Sequence, residues 1–206
     1  MKKLSVILSL VICMYFRAAA QTANSVEVGF NSGFNVAEVT SPQGVPNVAF
    51  HVGFNVGATA EYYLTDTWSI KGKISYDQKG WDDAYGFFSS ASVNKFSLNY
   101  ITVPVMANWH FGRTRNWYLH FGAYAGFLTG ATSSPGAADI SSGFNTTDAG
   151  LAGGLGVKFK LSDKAKLFIE DDSEVGFIDI LKNDAAAYAY HNTRSSLNVG
   201  VMFRLD

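Results

Sequence analysis

The amino-acid sequence predicts an all-β fold, an eight-stranded antiparallel up-and-down transmembrane β-barrel. Three observations support this: long segments that alternate apolar with polar residues, connections that are short and long in turn, and aromatic residues near the short connections. The clearest segment, residues 48–64, has an apolar residue at every second position, which is typical of a β-strand with two unlike faces. It is about three times as long as the usual strand of 5–6 residues, as expected of a strand that crosses a bilayer at a tilt.

Seven further segments show the same two-residue period. Each has apolar residues on one face and polar residues or glycines on the other. The seventh strand is the poorest, because acidic residues interrupt its apolar face before Val175 and Phe177. The eight predicted strands are residues 26–37, 48–64, 68–77, 96–111, 117–127, 150–161, 166–177 and 196–205.

The connections between the predicted strands alternate in length. Three are short, at residues 65–67, 112–116 and 162–164. Four are long and polar, at residues 38–47, 80–95, 131–147 and 178–192. Bacterial outer-membrane barrels have this asymmetry, with short turns and both termini on the periplasmic side. Aromatic residues belong at the membrane interface, and those near the short turns are Tyr62, Tyr63, Trp68, Trp109, Phe111, Trp117 and Tyr118.

The N-terminal residues predict an export signal. Two lysines precede an apolar segment, residues 4–16, and residues 18–20 offer a cleavage site of the A-x-A type. We therefore expect residues 1–20 to be a signal peptide and residues 21–206 to be the outer-membrane barrel domain.

The single cysteine and the charge balance exclude several classes of function. Cys13 lies in the predicted signal, where lipid attachment is an alternative that would shorten the apolar segment. Cleavage after Ala20 leaves a chain without a disulfide, a thiol nucleophile or a cysteine-ligated metal. The formal net charge is −1, whereas nucleic-acid binding usually needs a basic surface. No apolar run long enough for a transmembrane helix follows the signal.

The polar faces of the strands are expected to line an interior that has room only for side chains. Glycines recur on this face, at Gly29, Gly33, Gly53, Gly57, Gly122, Gly126, Gly154, Gly156 and Gly200. They leave space for larger inward residues, which are His51, Lys71, Lys73, His120, Tyr124, Lys158 and Glu170. A charged network that blocks a pore is expected among Lys71, Lys73, Lys158, Lys160, Lys166, Glu27, Glu61 and Glu170. Lys158 and Lys160 lie near a short turn, so facing the periplasm is the alternative for them.

The fourth strand contains two irregular positions. Its apolar residues change from even to odd positions near Tyr100, and one extra residue would produce that shift, so we predict a β-bulge there. Pro104 cannot donate a hydrogen bond to a neighbouring strand, so an irregular or unpaired backbone position is expected for it.

A soluble eight-stranded barrel of the lipocalin kind is the alternative fold. Its strands would show the same alternation, with the apolar side turned inward. The length of the strands and the asymmetry of the loops favour the membrane barrel.

Residues 98–111, LNYITVPVMANWHF, resemble a strand of the PorT-type outer-membrane β-barrel family of Bacteroidetes, which has the pattern Y-[LI]-x-x-P-x-x-x-x-x-x-F. Residues 76–80, 119–126 and 148–156 also resemble that family, so the likeness covers nearly the whole mature chain. It implies the barrel architecture in the outer membrane of a Gram-negative bacterium. One member has a role in protein secretion, although the family is broader than that role. Residues 170–174, Glu-Asp-Asp-Ser-Glu, depart from the family's E-x-R-Y segment.

The histidines do not belong to a catalytic sequence motif. His51 and His120 face inward, His110 ends the fourth strand and His191 lies in a loop. A Ser-His-acid site would need a serine and a carboxylate beside one of them, and no signature of a known catalytic site is present. We therefore predict no enzyme activity, no catalytic or cofactor-binding residues, no cofactor and no metal site. Histidines in a hydrogen-bond network inside the barrel are expected instead.

The densest acidic stretch contains Asp171, Asp172, Glu174 and Asp179. It lacks the residue spacing of a calcium-binding loop. We expect it to be the solvated upper end of the seventh strand, leading into the last loop.

The loop at residues 80–95 contains Trp81, Tyr85, Phe87 and Phe88. We expect these aromatic residues to pack over the barrel mouth as a plug; binding of a protein or glycan partner is the alternative. The sequence predicts a monomeric outer-membrane protein that contacts lipid, binds no nucleic acid, and has a structural or surface-interaction role through its long loops. An accessory role in outer-membrane protein secretion is the alternative that the PorT resemblance implies, and a lumen-active enzyme or a narrow channel is a third.

Overall fold

The computed structural model describes residues 23–40, 48–83, 94–182 and 189–205. The predicted signal peptide lies outside these residues. A short 3-10 helix, Ser141–Gly143, follows a two-residue strand, Ala138–Asp139. The strands of the described residues are β1 (Val26–Thr40), β2 (Val48–Tyr63), β3 (Trp68–Asp83), β4 (Lys95–Phe111), β5 (Trp117–Ser134), β6 (Ala138–Asp139), β7 (Thr147–Lys160), β8 (Ala165–Gly176) and β9 (His191–Leu205).

Eight long strands form a closed antiparallel barrel with up-and-down connections, which confirms the predicted fold class. Each long strand pairs with the long strands that precede and follow it in sequence, and β1 pairs with β9 to close the ring. The short strand β6 pairs with the end of β5. In the described part of the chain, no helix is long and apolar enough to cross a membrane.

The two faces of the barrel wall have opposite chemistry. Bulky apolar side chains are exposed on the outside, such as Phe30 at 68% and Phe121 at 56%, whereas buried charged side chains fill the inside. A soluble barrel would show the reverse, so the lipocalin-like alternative is wrong. Trp68, Trp109 and Trp117 are exposed at the short-turn ends of their strands, where an interfacial aromatic girdle belongs.

Two of the aromatic residues near the short turns do not belong to this girdle. Tyr63 and Tyr118 are fully buried and donate hydrogen bonds to the carboxylates of Glu27 and Glu170 in the lumen. Proximity to a turn sets the height of a residue, but alternation along the strand sets the face on which its side chain lies.

The strands continue beyond their predicted extracellular limits. β1, β3 and β5 end later than the sequence predicts, and β9 begins earlier. The ladder continues in these parts, for instance between Thr40 and His191 and between Lys95 and Ser134. Strand ends above the lipid need no apolar face, so they show no alternation that a sequence pattern can detect. Strand therefore takes up parts of the loops expected at residues 38–47, 80–95, 131–147 and 178–192.

The bulge predicted near Tyr100 is present, but its extra residue is in β5 and not in β4. The register between β4 and β5 shifts between Asn99 and Tyr100, and Thr129 is the additional residue of β5. β4 keeps one phase, with Leu98 and Tyr100 both inward and fully buried. At this height the interior changes from charged groups to an apolar cluster. The inward residues of β4 are therefore apolar here, which in the sequence resembles a change of face.

Pro104 interrupts the ladder between β3 and β4, as predicted. Gly72 pairs with Val105, and pairing resumes only at Ser75 with Thr102. Proline has no backbone N–H, so it is tolerated at a position where the ladder is broken.

Inward glycines make room for ring side chains on neighbouring strands. A Cβ atom at Gly156 would overlap the Tyr118 ring, and one at Gly200 would lie 2.5 Å from the Phe168 ring. Both rings are buried in the lumen. At these two positions the predicted role of glycine as a space-making residue is confirmed.

We expect Gly156→Val to lower the free energy of unfolding by about 1–3 kcal/mol, because overpacking forces the Tyr118 ring to move. Valine favours strands, so strand propensity would not explain a loss. Gly72→Val is the matched control, since a Cβ atom at Gly72 meets nothing within 4 Å. Urea unfolding in lipid vesicles measures both variants, and equal stability would contradict the packing role of Gly156.

Candidate functional site

The lumen is filled with paired ionisable side chains. Alternate residues of each strand point to the same side, which places these groups together on the inner face. Burying a charge is costly unless it is paired, and each of these groups has an opposite charge within 4 Å. Among the described residues, seven carboxylates and six cations are buried there: Glu27, Glu61, Asp77, Asp148, Glu170, Asp172, Glu174, Lys71, Lys73, Lys79, Lys158, Lys166 and Arg194.

Two glutamates and two lysines form the cluster at the short-turn end of the lumen. Lys158 Nζ lies 3.1 Å from Glu27 and 2.5 Å from Glu61. Lys166 Nζ lies 2.5 Å from Glu27. These contacts confirm the predicted pairing of Lys158 with Glu27 and Glu61, and of Lys166 with Glu27, inside the barrel.

Lys160 does not join this cluster. Its Nζ lies 2.6 Å from Asp163 in the following turn. The hydrogen bond from Lys160 and its positive charge lower the pKa of the Asp163 carboxyl below its ordinary value. Lys160 therefore lies on the periplasmic surface, which was the alternative expected for this residue.

The middle cluster joins β3 to β8 across the lumen. Lys71 forms an ion pair with Glu170, and Lys73 Nζ lies 3.2 Å from Asp172. His120 lies 3.9 Å from Glu170 and 3.8 Å from Asp172. Among the described residues, neither ring nitrogen of His120 has a hydrogen-bond partner. This histidine therefore packs beside the charged network, and the expectation of a hydrogen-bonded lumen histidine is wrong for it.

The third cluster lies toward the extracellular end. The Arg194 guanidinium is 2.6 Å from Glu174 and 3.2 Å from Asp77. Lys79 Nζ is 2.8 Å from Glu174 and 3.2 Å from Asp148. Within the described residues, no three His, Cys, Asp or Glu side chains are placed to hold a metal ion.

Neither cation of this third cluster is predicted from the sequence. Lys79 and Arg194 lie outside the apolar alternation that defined the predicted strands. The signal that identifies Lys79 is its parity, since it follows the inward residues Lys71 and Lys73 at even intervals along β3.

The acidic stretch of β8 is not a solvated strand end. Asp172 and Glu174 face the lumen at 0% and 1% exposure, whereas Asp171, which directly precedes Asp172, is exposed on the outer wall. Asp179 follows the strand, and its carboxylate accepts hydrogen bonds from two backbone N–H groups at 3.0 Å. The expectation is wrong for Asp172 and Glu174 because Arg194 on the neighbouring strand β9 and two lysines of β3 across the lumen supply counter-charges.

An apolar cluster caps the charged lumen at the extracellular mouth. Trp81 stacks on Phe96 with the ring centroids 4.6 Å apart. The plug prediction is confirmed for Trp81, while Tyr85, Phe87 and Phe88 lie outside the described residues. A filled lumen under an apolar cap does not favour the channel alternative. The buried residues of the cap are Val39, Trp81, Leu98, Tyr100, Ala131, Phe144 and Ile180.

One lumen histidine contacts both a serine and a carboxylate. His110 Nε2 lies 2.9 Å from Ser69 Oγ and 2.9 Å from Glu61 Oε1. A catalytic triad needs the serine on one ring nitrogen and the acid on the other. Both groups share one nitrogen here, so this contact cannot relay a proton from the serine to the acid.

His51 lies at the extracellular ends of the strands, and its two ring nitrogens contact an acid and a serine separately, as in a catalytic triad. Its Nδ1 lies 2.8 Å from Asp82 Oδ1, and its Nε2 lies 3.1 Å from Ser97 Oγ. Ser97 pairs with Gly80 on one side and Thr132 on the other, within regular ladders that use the backbone N–H groups around it. An acyl-transfer site needs free donors aimed at the developing oxyanion. We therefore interpret this contact as a clamp that ties β2, β3 and β4 together.

A fluorophosphonate probe, which reacts with activated serines, is expected to leave the folded protein unlabelled. The experiment uses outer-membrane fractions, with a known serine hydrolase added as the positive control. Labelling that disappears in Ser97→Ala would contradict the clamp interpretation and establish a nucleophilic serine at this position.

Glu170→Gln is expected to destabilise the barrel by about 3–5 kcal/mol, because it leaves buried lysine charge without its partner. Asp163→Asn is the control, since this ion pair lies in the exposed periplasmic turn and should contribute little. Urea unfolding in vesicles at neutral pH compares the two. A loss at Glu170 no larger than the loss at Asp163 would show that the lumen pairs do not hold the barrel.

A closed barrel of eight strands with an apolar outer wall and a charged lumen defines a transmembrane β-barrel of the outer-membrane class. Residues 19–182 match the family described as outer membrane protein beta-barrel domain, and the chain belongs to this family. A comparison with curated proteins finds no match.

Solved structures of outer-membrane barrels are similar to this chain in fold. Neisserial surface protein A (NspA) is 17% identical over 87% of this chain and 97% of that chain, with a TM-score of 0.52. OprG from Pseudomonas aeruginosa is 12% identical over 91% and 99% of the two chains, with a TM-score of 0.47. Ail of Yersinia pestis is 17% identical over 89% and 100%, with a TM-score of 0.44. At these identities the likeness shows the fold alone, and the PorT-type resemblance stays a prediction.

Proposed function

We propose that this outer-membrane barrel has a structural or surface-interaction role, carried by its extracellular end and without enzymatic activity. The observation that supports the proposal is the filled lumen. Charged clusters and an apolar cap occupy the interior, so the groups that can meet a partner lie on the outer surfaces of the molecule.

The β5–β6 hairpin offers an ordered contact surface at the extracellular end. Residues 134–139 are all exposed, and most have small side chains that leave backbone and hydroxyl groups accessible. The base of the hairpin is fixed, because Ala131 N–H donates to Ser141 Oγ at 2.8 Å. Hydrogen bonds from Ser141 lower the pKa of the Asp139 carboxyl, which keeps a negative charge beside the tip. Such a surface suits a protein or glycan partner.

The second candidate is an accessory role in outer-membrane protein secretion, which the PorT-type resemblance of residues 98–111 favours. That role needs a partner in the membrane or the periplasm. The described periplasmic end is three short turns, so a partner there would contact residues such as Lys164.

Photo-crosslinking on intact cells is expected to separate these two roles. A photoreactive amino acid replaces Ala137 at the hairpin tip or Lys164 in a periplasmic turn, both of which are exposed positions at the end of a hairpin. The surface role predicts adducts with externally added protein or glycan from position 137 and none from position 164. Adducts with periplasmic or membrane proteins from position 164 alone would contradict it and support the secretion role.

A further inference from the structure

Asp171 places a carboxyl group on the apolar outer wall. It is exposed on β8 between Ile169 and Val175 on the same face. Its cross-strand neighbours are Leu155 on β7 and Leu197 on β9. These four apolar side chains are 37% to 57% exposed, so the carboxyl group is surrounded by residues that face lipid.

The height of Asp171 on the wall places it deep in the membrane. It lies six positions after Ala165, the first residue of β8 (171 minus 165). For a rise of about 3.3 Å per residue and a tilt of about 40°, this is roughly 15 Å from the periplasmic end of the strand. The apolar band of such barrels is about 25 Å tall, and Phe177 continues the exposed apolar face above Asp171. Asp171 is therefore near the middle of the band.

Within the described residues, the Asp171 side chain has no hydrogen-bond or ion-pair partner. Beside it, the Oγ atoms of Ser173 and Ser195 lie 2.7 Å apart. Gly153 pairs with Ser173 and adds no side chain to the wall. These four residues, Asp171, Ser173, Ser195 and Gly153, form a polar area of low relief that we call the β8 wall patch.

A carboxyl group at this depth needs a protein partner. No water is present in the hydrocarbon to hydrogen-bond to it, and the acyl chains of lipids have no donor to offer at mid-depth. Polar groups on membrane-facing positions are rare and are a sign of function.

We propose that the β8 wall patch is the interface between two copies of this chain in the membrane. The patch contains hydroxyl donors and a carboxyl acceptor, so it complements itself, as an isologous two-fold contact requires. Two copies inserted with the same orientation have this patch at the same depth, and a two-fold axis along the membrane normal brings the two patches together. Each Asp171 carboxyl then meets the carboxyl and hydroxyl groups of the other copy, and Gly153 permits close approach. This differs from the monomer that the sequence predicts.

Single-cysteine crosslinking in outer-membrane fractions tests the interface. Cys13, the only cysteine of the chain, is replaced by alanine, and cysteine is introduced at Ser173 or, as the control, at Ile74. Ile74 is exposed on β3, on the opposite side of the ring from β8. With a membrane-permeable bismaleimide, the Ser173→Cys protein is expected to form a dimer of this chain and the Ile74→Cys protein to remain monomeric. A shift in gel mobility on boiling establishes that every variant is folded.

Asp171→Leu in the Ser173→Cys background is expected to reduce the dimer fraction by about tenfold, the effect of losing one or two desolvated hydrogen bonds. The variant should remain folded, because leucine suits a lipid-facing position. Dimer yields from Ser173→Cys no higher than from Ile74→Cys would overturn the proposal and leave lipid on this wall. Adducts with a different protein, or a dimer that Asp171→Leu does not weaken, would overturn it as well.

Discussion

Compensation of charge inside the barrel is the constraint on which the rest of the structure depends. Seven carboxylates and six cations of the described residues share a space that has room only for side chains. Buried ion pairs add little net stability compared with apolar packing, so their effect lies in selecting one arrangement. Lys71 and Glu170 belong to β3 and β8, which face each other across the ring. A slip of either strand by one residue would turn its charges toward lipid, so the pairs hold opposite walls in a single register.

Apolar alternation was sufficient to predict the strands where they cross the membrane, because there almost every outward residue is apolar. It was insufficient above the membrane, where backbone pairing alone continues β1, β3 and β5. Leu98 and Tyr100 suggested a change of face because the cap is apolar on the inside. Asp172 and Glu174 suggested solvent because their lysine partners, Lys73 and Lys79, are on β3 across the lumen. A contact across the lumen depends on strand order and tilt, and no single segment of the sequence contains that information.

The family defines the architecture of this protein, and function depends on particular sites added to it. The interior is filled almost entirely by side chains that support the fold. Glycines leave space for aromatic rings, and the rings lie in the lumen with the paired charges. Variation that changes function without disturbing the fold is therefore confined to the outer surfaces, namely the extracellular strand ends, the periplasmic turns and the wall itself. The acidic residues that interrupt the apolar pattern of the seventh predicted strand fall into two groups in the fold. Asp172 and Glu174 face the lumen, and Asp171 faces outward.

β1 is synthesised first, yet it pairs with the strand that is synthesised last. The two are in register along their whole length, from Val26 with Leu205 to Thr40 with His191. Pairings between such distant parts of a chain form slowly, and until then β1 exposes an edge that can pair with other chains. Export thus requires the chain to stay unfolded and protected until β9 has arrived at the membrane. A polypeptide that stops short of β9 has two open edges, which makes it a target for proteolysis and not a smaller barrel.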